Sequence, residues 1–240
     1  MTAAENRQRR RAAKLDQILD RAMELLTTEG PDALTLGRLA EAMSVTSAAL
    51  YRYISSKDDL VARLQDRSAT ELSAVIAHNR EAWARSSVIL DAAPPLRPLV
   101  TLFGVARLYV RLREEDSPHI LLLTVLVGDP RSVLSEEWAR RVTPRWLALL
   151  GIGAEILTEA AELGALSRGD AIGRATLLWA TLQGIAQLHK VRRLAPRLFA
   201  VQPLARESTA GLALRWGAKP DDVEAAIAAA ERLRLRLPPL

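Results

Sequence analysis

Residues 35–57 read TLGRLAEAMSVTSAALYRYISSK, and this stretch decides how the rest of the chain is interpreted. A short apolar pattern at helical spacing comes first, and a second one follows after a break. Leu36 and Leu39 belong to the first pattern, and Leu50 and Ile54 belong to the second. Two helices of this length joined by a turn of three or four residues form a helix-turn-helix, which places its second helix in the DNA major groove.

The second helix of this unit begins with small side chains, which let such a helix lie deep in the groove. Thr46 and Ser47 carry hydroxyls that can hydrogen-bond to bases or phosphates, and the Ala48 methyl can meet a thymine methyl. Tyr51 and Tyr53 lie about 200° apart on a helix of 3.6 residues per turn. At least one tyrosine must therefore point away from the core.

Further polar side chains around this unit suit contacts with DNA phosphates. Thr35 stands at the predicted N-cap of the first helix, Arg52 lies between the two tyrosines, and Lys57 opens the next helix. Ordinary packing is the alternative for the tyrosines, because aromatic side chains usually fill cores. The spaced motif of the unit consists of Thr35, Leu36, Leu39, Ala40, Met43, Val45, Leu50, Tyr51, Tyr53, Lys57 and Leu60.

With this motif, residues 10–64 resemble the N-terminal domain of TetR-type (TetR/AcrR) transcriptional regulators. The resemblance implies a three-helix DNA-binding domain, a larger helical ligand-binding and dimerisation domain, and a palindromic operator. By position, it also implies that bases face Thr46, Ser47 and Ala48, and that phosphates contact Thr35, Tyr51, Tyr53 and Lys57.

Two positions depart from the usual pattern of that family. Ser44 stands where a turn glycine is common, so the turn has to form with a Cβ present. Ile54 replaces a common phenylalanine. Neither change removes a polar contact, but both bear on the angle of the second helix.

The basic N-terminus leaves two interpretations open. A single acidic residue, Glu5, accompanies five cations within the first 14 residues. Such a run is either a solvated, frayed terminus or an arm that neutralises DNA phosphates. The cations are Arg7, Arg9, Arg10, Arg11 and Lys14.

Composition excludes several classes of protein. The net charge of +5 suits a polyanionic partner without requiring one. The chain has no cysteine, which excludes disulfides and thiolate sites. The N-terminus lacks the apolar segment of a secretion signal, and no apolar run has the length of a membrane span. We therefore expect a cytoplasmic protein with no membrane partner.

Catalytic motifs are also missing from the sequence. His78, His119 and His189 are far apart and fit no metal-ligand spacing. There is no nucleophile-elbow serine and no phosphate-binding glycine loop. We predict that the protein is not an enzyme and uses no metal or cofactor.

The remaining sequence predicts helix after helix, without strand patterns or internal repeats. We expect an all-α protein with a helix-turn-helix domain at residues 1–64 and a helical bundle at residues 65–240. Pro144 is a possible interruption of one long helix. The predicted helices lie at about residues 10–29, 58–78, 99–114, 118–127, 135–164, 169–194, 204–216 and 221–232, with a turn at residues 128–130.

Polar and aromatic side chains in the bundle make a ligand pocket one hypothesis, and plain core packing is the alternative. Gln183 interrupts a largely apolar helix, on which Ala180, Gly184 and Leu188 resemble the helix that pairs two subunits in TetR-type regulators. An internal packing helix is the alternative here. The candidate pocket residues are Phe103, Tyr109, Trp138, Trp146, Trp179 and Gln183.

These observations predict a DNA-binding transcriptional regulator. The first expectation is a homodimeric repressor that a small-molecule effector releases from double-stranded operator DNA. The alternative is a helix-turn-helix activator or architectural protein without a small-molecule inducer.

Overall fold

The computed structural model describes residues 2–115, 117–120, 122 and 136–237, and all regular secondary structure in these ranges is helical. The predicted all-α architecture, a helix-turn-helix domain followed by a helical domain, is confirmed. The α-helices are α1 (Ala3–Glu29), α2 (Leu36–Ala42), α3 (Ser47–Tyr51), α4 (Lys57–Ala84), α5 (Ser87–Leu90), α6 (Leu96–Glu114), α7 (Glu136–Glu162), α8 (Ala171–Gln187), α9 (Val201–Arg215) and α10 (Pro220–Arg232), with 3-10 turns at Pro31–Ala33 and Leu188–Val191.

Helix α1 begins seven residues earlier than the apolar periodicity predicts, because a capping box closes its N-terminus. The Glu5 backbone N–H donates to Thr2 Oγ1 at 3.2 Å, and the Thr2 N–H donates to Glu5 Oε2 at 2.7 Å. The basic run is therefore an exposed helical extension of α1 rather than a frayed terminus.

Other features also differ from the sequence-based prediction. Helix α4 runs to Ala84, past its predicted end at about residue 78. Pro144 does not interrupt α7, which continues through it. Helix α8 ends at Gln187 and a 3-10 turn follows, so the predicted helix at residues 169–194 is too long. Residues 118–120 and 122 are helical, whereas the rest of the predicted helix at 118–127 and the turn at 128–130 lie outside the described residues.

The chain divides into two compact units. The first comprises Met1–Ala69 and Leu121–Pro144, and the second comprises Thr70–Ile120 and Arg145–Leu240. The division into residues 1–64 and 65–240 stays a prediction.

The core of the first unit is aliphatic and holds the first helices together. Leu25, Leu39, Leu50, Ile54 and Leu64 are all buried within one cluster. Burying side chains of this size stabilises a fold by about 1.5–3 kcal/mol each. Ile54 is completely buried, so it takes a full part in this core at the position where the related family often has phenylalanine.

In the second unit, α6 is the central helix. It packs against α8, α9 and α10, and its side chains are buried over most of its circumference. Gly104 marks its closest packing, since a Cβ there would lie 2.9 Å from Leu233 Cδ1 and 3.0 Å from Trp83 Cζ3. An alanine at this position would force both neighbours to move.

Candidate functional site

The turn between α2 and α3 is a Schellman motif built on Ser44. Ser44 adopts a φ of +53°, its N–H donates to Glu41 O, and the Val45 N–H donates to Ala40 O at 3.0 Å. The half-buried Val45 packs against the core beneath the turn. A residue with a Cβ thus adopts the left-handed turn, at a cost of about 1–2 kcal/mol.

Helix α3 is short and has one buried side. Its N-cap is Thr46, whose Oγ1 accepts from the Ala49 N–H at 3.2 Å. Leu50 anchors the helix in the core, while Thr46, Ser47 and Ala48 are exposed. A run of small and hydroxyl-bearing side chains therefore faces away from the core, as a helix that enters a groove requires.

The two tyrosines of this unit point in different directions. Tyr51 is 56% exposed, whereas Tyr53 is half-buried against the core of the first unit. This arrangement confirms that the two rings do not share one core face. Arg52, which follows Tyr51 directly, and Lys57 at the start of α4 are both exposed.

The start of α2 presents a second set of exposed groups. Thr35 caps the helix by accepting from the Arg38 N–H at 3.1 Å, which leaves its hydroxyl hydrogen able to donate outward. Gly37 is exposed, and a Cβ there would meet nothing within 4 Å. Packing within the protein therefore does not require glycine at that position.

An ion-paired arginine joins α1 to α2. Arg38 donates to both oxygens of Glu29, at 3.0 and 2.8 Å, and to Glu41 at 2.9 Å. The hydrogen bond from Arg38 holds the pKa of Glu29 below its ordinary value. The stabilisation is therefore present above the ordinary carboxyl pKa and is lost as the pH falls through the lowered one.

Asp59 organises the turn that leads from α3 into α4. Its side chain is buried, and its carboxylate accepts from the Ser55 N–H at 2.8 Å, the Ser55 hydroxyl at 3.0 Å and Arg63 Nε at 2.5 Å. The Asp59 backbone N–H donates to a different serine, at a distance of 3.0 Å to Ser56 Oγ. This network fixes the backbone at the start of α4, where Lys57 lies. Sequence reasoning missed it, although a serine three residues before an acidic residue is a helix-start signal.

Replacing Asp59 should loosen this turn and destabilise the first unit. We expect Asp59→Ala to lower the free energy of unfolding by about 2–3 kcal/mol, because it leaves the Ser55 N–H without its acceptor. Asp16→Ala, at an exposed position of α1 in the same unit, is the matched control and should change the free energy of unfolding by no more than about 0.5 kcal/mol. Urea unfolding followed by circular dichroism measures both, and equal losses would contradict the role of Asp59.

The exposed extension of α1 carries a basic stripe. Arg7, Arg10, Arg11 and Lys14 recur at the i, i+3, i+4, i+7 spacing of one helix face. The first fully buried side chain of the helix is Ile18. The stripe therefore lies on about 18 Å of helix that packs on no core.

In the second unit, four of the predicted pocket residues form two contact pairs. The Tyr109 hydroxyl donates to Gln183 Oε1, and the rings of Trp146 and Trp179 meet edge to face with centroids 5.4 Å apart. Burial raises the pKa of Tyr109 far above its ordinary value, so the hydroxyl stays protonated and donates. Gln183 is 3% exposed, and its Nε2 has no hydrogen-bond partner among the described residues.

The other two predicted pocket residues lie elsewhere. Phe103 lines a separate cavity between α6, α9 and α10. Trp138 belongs to the first unit, where the Arg141 guanidinium lies 4.3 Å from its ring centroid. The assignment of all six residues to one ligand pocket stays a prediction.

Helix α8 exposes the residues predicted for a dimer interface. Ala180 and Gly184 are exposed, Leu188 is half-exposed, and a Cβ on Gly184 would meet nothing within 4 Å. Leu177 and Ile172 lie on the same helix and are 46% and 45% exposed. The described residues thus leave uncovered an apolar face with small residues at its centre.

Among the described residues, no group of His, Cys, Asp or Glu is arranged to hold a metal ion. No helix in those ranges combines the length and apolarity needed to cross a membrane.

Comparison with known families identifies the type of the N-terminal domain. Residues 18–64 match the family model described as "Bacterial regulatory proteins, tetR family". This match confirms the resemblance predicted from the spaced motif. A sequence comparison finds no match among curated proteins.

Solved structures extend the similarity to both units. The chain resembles RolR in complex with resorcinol (15% identity, 95% of this chain and 98% of that chain, TM-score 0.62). It also resembles SmeT, the repressor of the Stenotrophomonas maltophilia multidrug efflux pump SmeDEF (17%, 87% and 92%, TM-score 0.57), and a TetR transcription regulator from Haloarcula marismortui (18%, 85% and 98%, TM-score 0.60). At these identities the likeness shows a shared fold.

Proposed function

We propose that this chain, whose residues 18–64 form a DNA-binding domain of the TetR family, is a homodimeric repressor that a small molecule releases from a palindromic operator. The family assigns a DNA-binding regulator rather than an enzyme. The observation that carries the proposal is the outward face of α3, where Thr46, Ser47 and Ala48 are exposed above the buried Leu50. Such a protein acts in the cytoplasm, where bacterial DNA lies.

The exposed side chains of the helix-turn-helix fall into two sets, one suited to base edges and one suited to phosphates. Small side chains at the start of α3 suit base edges, because they allow close approach in the major groove. Thr35, Tyr51, Arg52 and Lys57 are donors around this face and suit the phosphates on either side. Tyr53, being half-buried, would contact a phosphate through its hydroxyl only.

A two-fold dimer would pair the uncovered face of α8 with its copy. Isologous pairing buries the same patch on both subunits, and small residues such as Ala180 and Gly184 allow two helices to approach closely. A two-fold protein then matches a two-fold operator, with one α3 helix in each half-site.

The proposed effector site comprises Tyr109, Gln183, Trp146 and Trp179. The unpartnered Gln183 Nε2 is a buried donor, which costs about 1–3 kcal/mol until an acceptor reaches it. A small aromatic compound bearing an oxygen acceptor would offer stacking to the indoles and an acceptor to the amide. RolR has a similar fold and was solved with resorcinol, a compound of this kind.

Such an effector shifts the dimer only by its difference in affinity for the DNA-bound and released states. Thermal-shift screening finds compounds that bind the folded protein, and a mobility shift on DNA flanking its own gene then tests each hit. A hit that weakens operator binding supports the repressor. Operator binding with no responsive compound would favour the alternative of a regulator without an inducer.

The basic stripe of α1 should add phosphate contacts outside the α3 face. We expect the variant in which Arg7, Arg10, Arg11 and Lys14 are all alanine to bind every DNA sequence more weakly. Each lost phosphate contact reduces the slope of log K against log salt by about 0.9, so the four substitutions should reduce it by about 3–4 for each subunit and by about 7 for the proposed dimer. A mobility-shift titration at several salt concentrations measures the slope.

The matched control removes exposed cations from the second unit instead. Four exposed arginines of that unit are replaced with alanine, which removes the same charge and should leave the slope within about 0.5 of the wild-type value; they are Arg193, Arg197, Arg215 and Arg232. An unchanged slope in the α1 variant would identify the stripe as a solvated helix face.

A further inference from the structure

A cavity of about 620 Å³ lies between α6, α9, α10 and the segment that follows α10, entirely within the second unit. This volume falls in the range of about 300–1,000 Å³ typical of small-molecule sites. Much of its wall is aliphatic or aromatic, with Phe103, Ile227, Leu233, Leu235 and Leu237 as the largest apolar groups. The cavity is separate from the Tyr109 and Gln183 pair, neither of which lines it.

The polar part of the wall is strongly cationic, with four arginines and a single glutamate. Arg206 lies 3.3 Å from that glutamate, Glu231. Arg111 is ion-paired with Glu114 and Glu115, which lie outside the wall, so the wall arginines without a described carboxylate partner are Arg107 and Arg234. Arg107 donates to two neutral acceptors, the carbonyls of Ala230 and Leu233, at 3.1 and 2.9 Å. Positive charge is therefore left in excess beside an apolar surface.

The segment of residues 233–237, which we call the tail strap, alternates leucine and arginine and closes one side of the cavity. The fully buried Asn79 holds its backbone, since Asn79 Nδ2 donates to Arg236 O and the Arg236 N–H donates to Asn79 Oδ1, both at 2.8 Å. Trp83 Nε1 donates to Arg234 O at 3.0 Å. The strap is thus fixed by its backbone.

The side chains of the strap are left free to form the wall. Arg234 lines the cavity and makes no ion pair with a described residue. The Arg236 side chain instead lies 3.3 Å from His78 Nε2. Two arginines on one strap therefore occupy different surroundings.

We propose that this cavity binds an amphipathic anion, with a hydrocarbon tail against Phe103, Ile227 and the strap leucines and an acidic head group at Arg234. Burial of the tail supplies most of the affinity, because each buried CH₂ group removes apolar surface from water. The charge excess selects an anion over a neutral molecule, since charge-assisted hydrogen bonds are about twice as strong as neutral ones. This assigns a ligand site beyond the proposed effector site.

Titration calorimetry of the full-length protein with decanoate, decanol and acetate tests the assignment without DNA. Decanoate should bind, decanol should bind at least about fivefold more weakly, and acetate should not bind at millimolar concentration. Arg234→Gln should weaken decanoate binding about fivefold to tenfold, whereas Arg236→Gln on the same strap should not change it. Ile227→Trp should abolish binding by filling the cavity.

Three results would overturn the assignment. They are equal affinity for decanol and decanoate, equal effects of Arg234→Gln and Arg236→Gln, and no decanoate binding by the wild-type protein. Arg234 is exposed, so its variant is expected to fold even if Ile227→Trp does not. Because none of these measurements involves DNA or an effector, the result is independent of the proposed repressor function.

Discussion

Ala180→Arg on α8 is expected to convert the proposed dimer to a monomer and to weaken operator binding by about 100-fold or more. Ala180 is exposed near the middle of the uncovered α8 face, between Leu177 and Gly184. In a two-fold interface each substitution occurs twice, and arginines near the axis face each other. Like charges and lost close packing then oppose pairing, and each α3 helix loses the effective concentration that its partner provides.

The control places the same substitution on an exposed alanine of another helix. Ala225→Arg on α10 should leave both the mass in solution and operator affinity unchanged. Light scattering after size exclusion measures the mass, and a mobility shift measures the affinity. An Ala180→Arg protein that stays dimeric would show that α8 is not the interface, whereas a monomeric protein with full affinity would contradict the paired-subunit account of DNA binding.

The second large effect should come from Ala48→Glu in α3. Ala48 is exposed in the first turn of that helix, so no core contact is lost, and a negative charge there is favourable for the helix itself. Against DNA the same carboxylate would be desolvated beside phosphates and base edges. We expect specific binding to fall at least about 100-fold, the effect of an unpaired charge worth 3 kcal/mol or more.

We expect Ala48→Glu to weaken DNA binding without a comparable loss of folding stability. The free energy of unfolding should stay within about 0.5 kcal/mol of the wild-type value, as for most surface substitutions. Ala225→Glu serves as the control and should alter neither quantity. An Ala48→Glu protein that binds operator as well as the wild type would place the DNA-contacting face somewhere other than α3.

Local spacing was enough to predict the helix-turn-helix. The positions of Leu39 and Leu50 follow from helical periodicity. Tyr53 lies in the turn after α3, two residues past Tyr51, so its different surroundings reflect the end of that helix. The turn at Ser44 also forms where the sequence requires it. These features depend on residues close together in the chain, which is why the sequence alone was sufficient.

The composition of the ligand sites depends on tertiary packing and could not be predicted in the same way. Phe103 and Tyr109 are six residues apart on α6, so they face directions about 120° apart and meet different neighbours. Asn79 and Arg236 are separated by 157 positions and carry no local signal of their pairing. A long helix buried around most of its circumference can serve several sites, and its sequence does not say which face meets which partner.

The central claim is that two α3 helices, one from each subunit of a dimer, read a palindrome. Selection of binding sites from a random DNA library by the wild-type protein tests it most directly. The account predicts enrichment of an inverted repeat whose half-site centres lie about one helical turn apart, 10–10.5 bp, or a multiple of it. Enrichment of a single asymmetric site, or of no sequence at all, would contradict it.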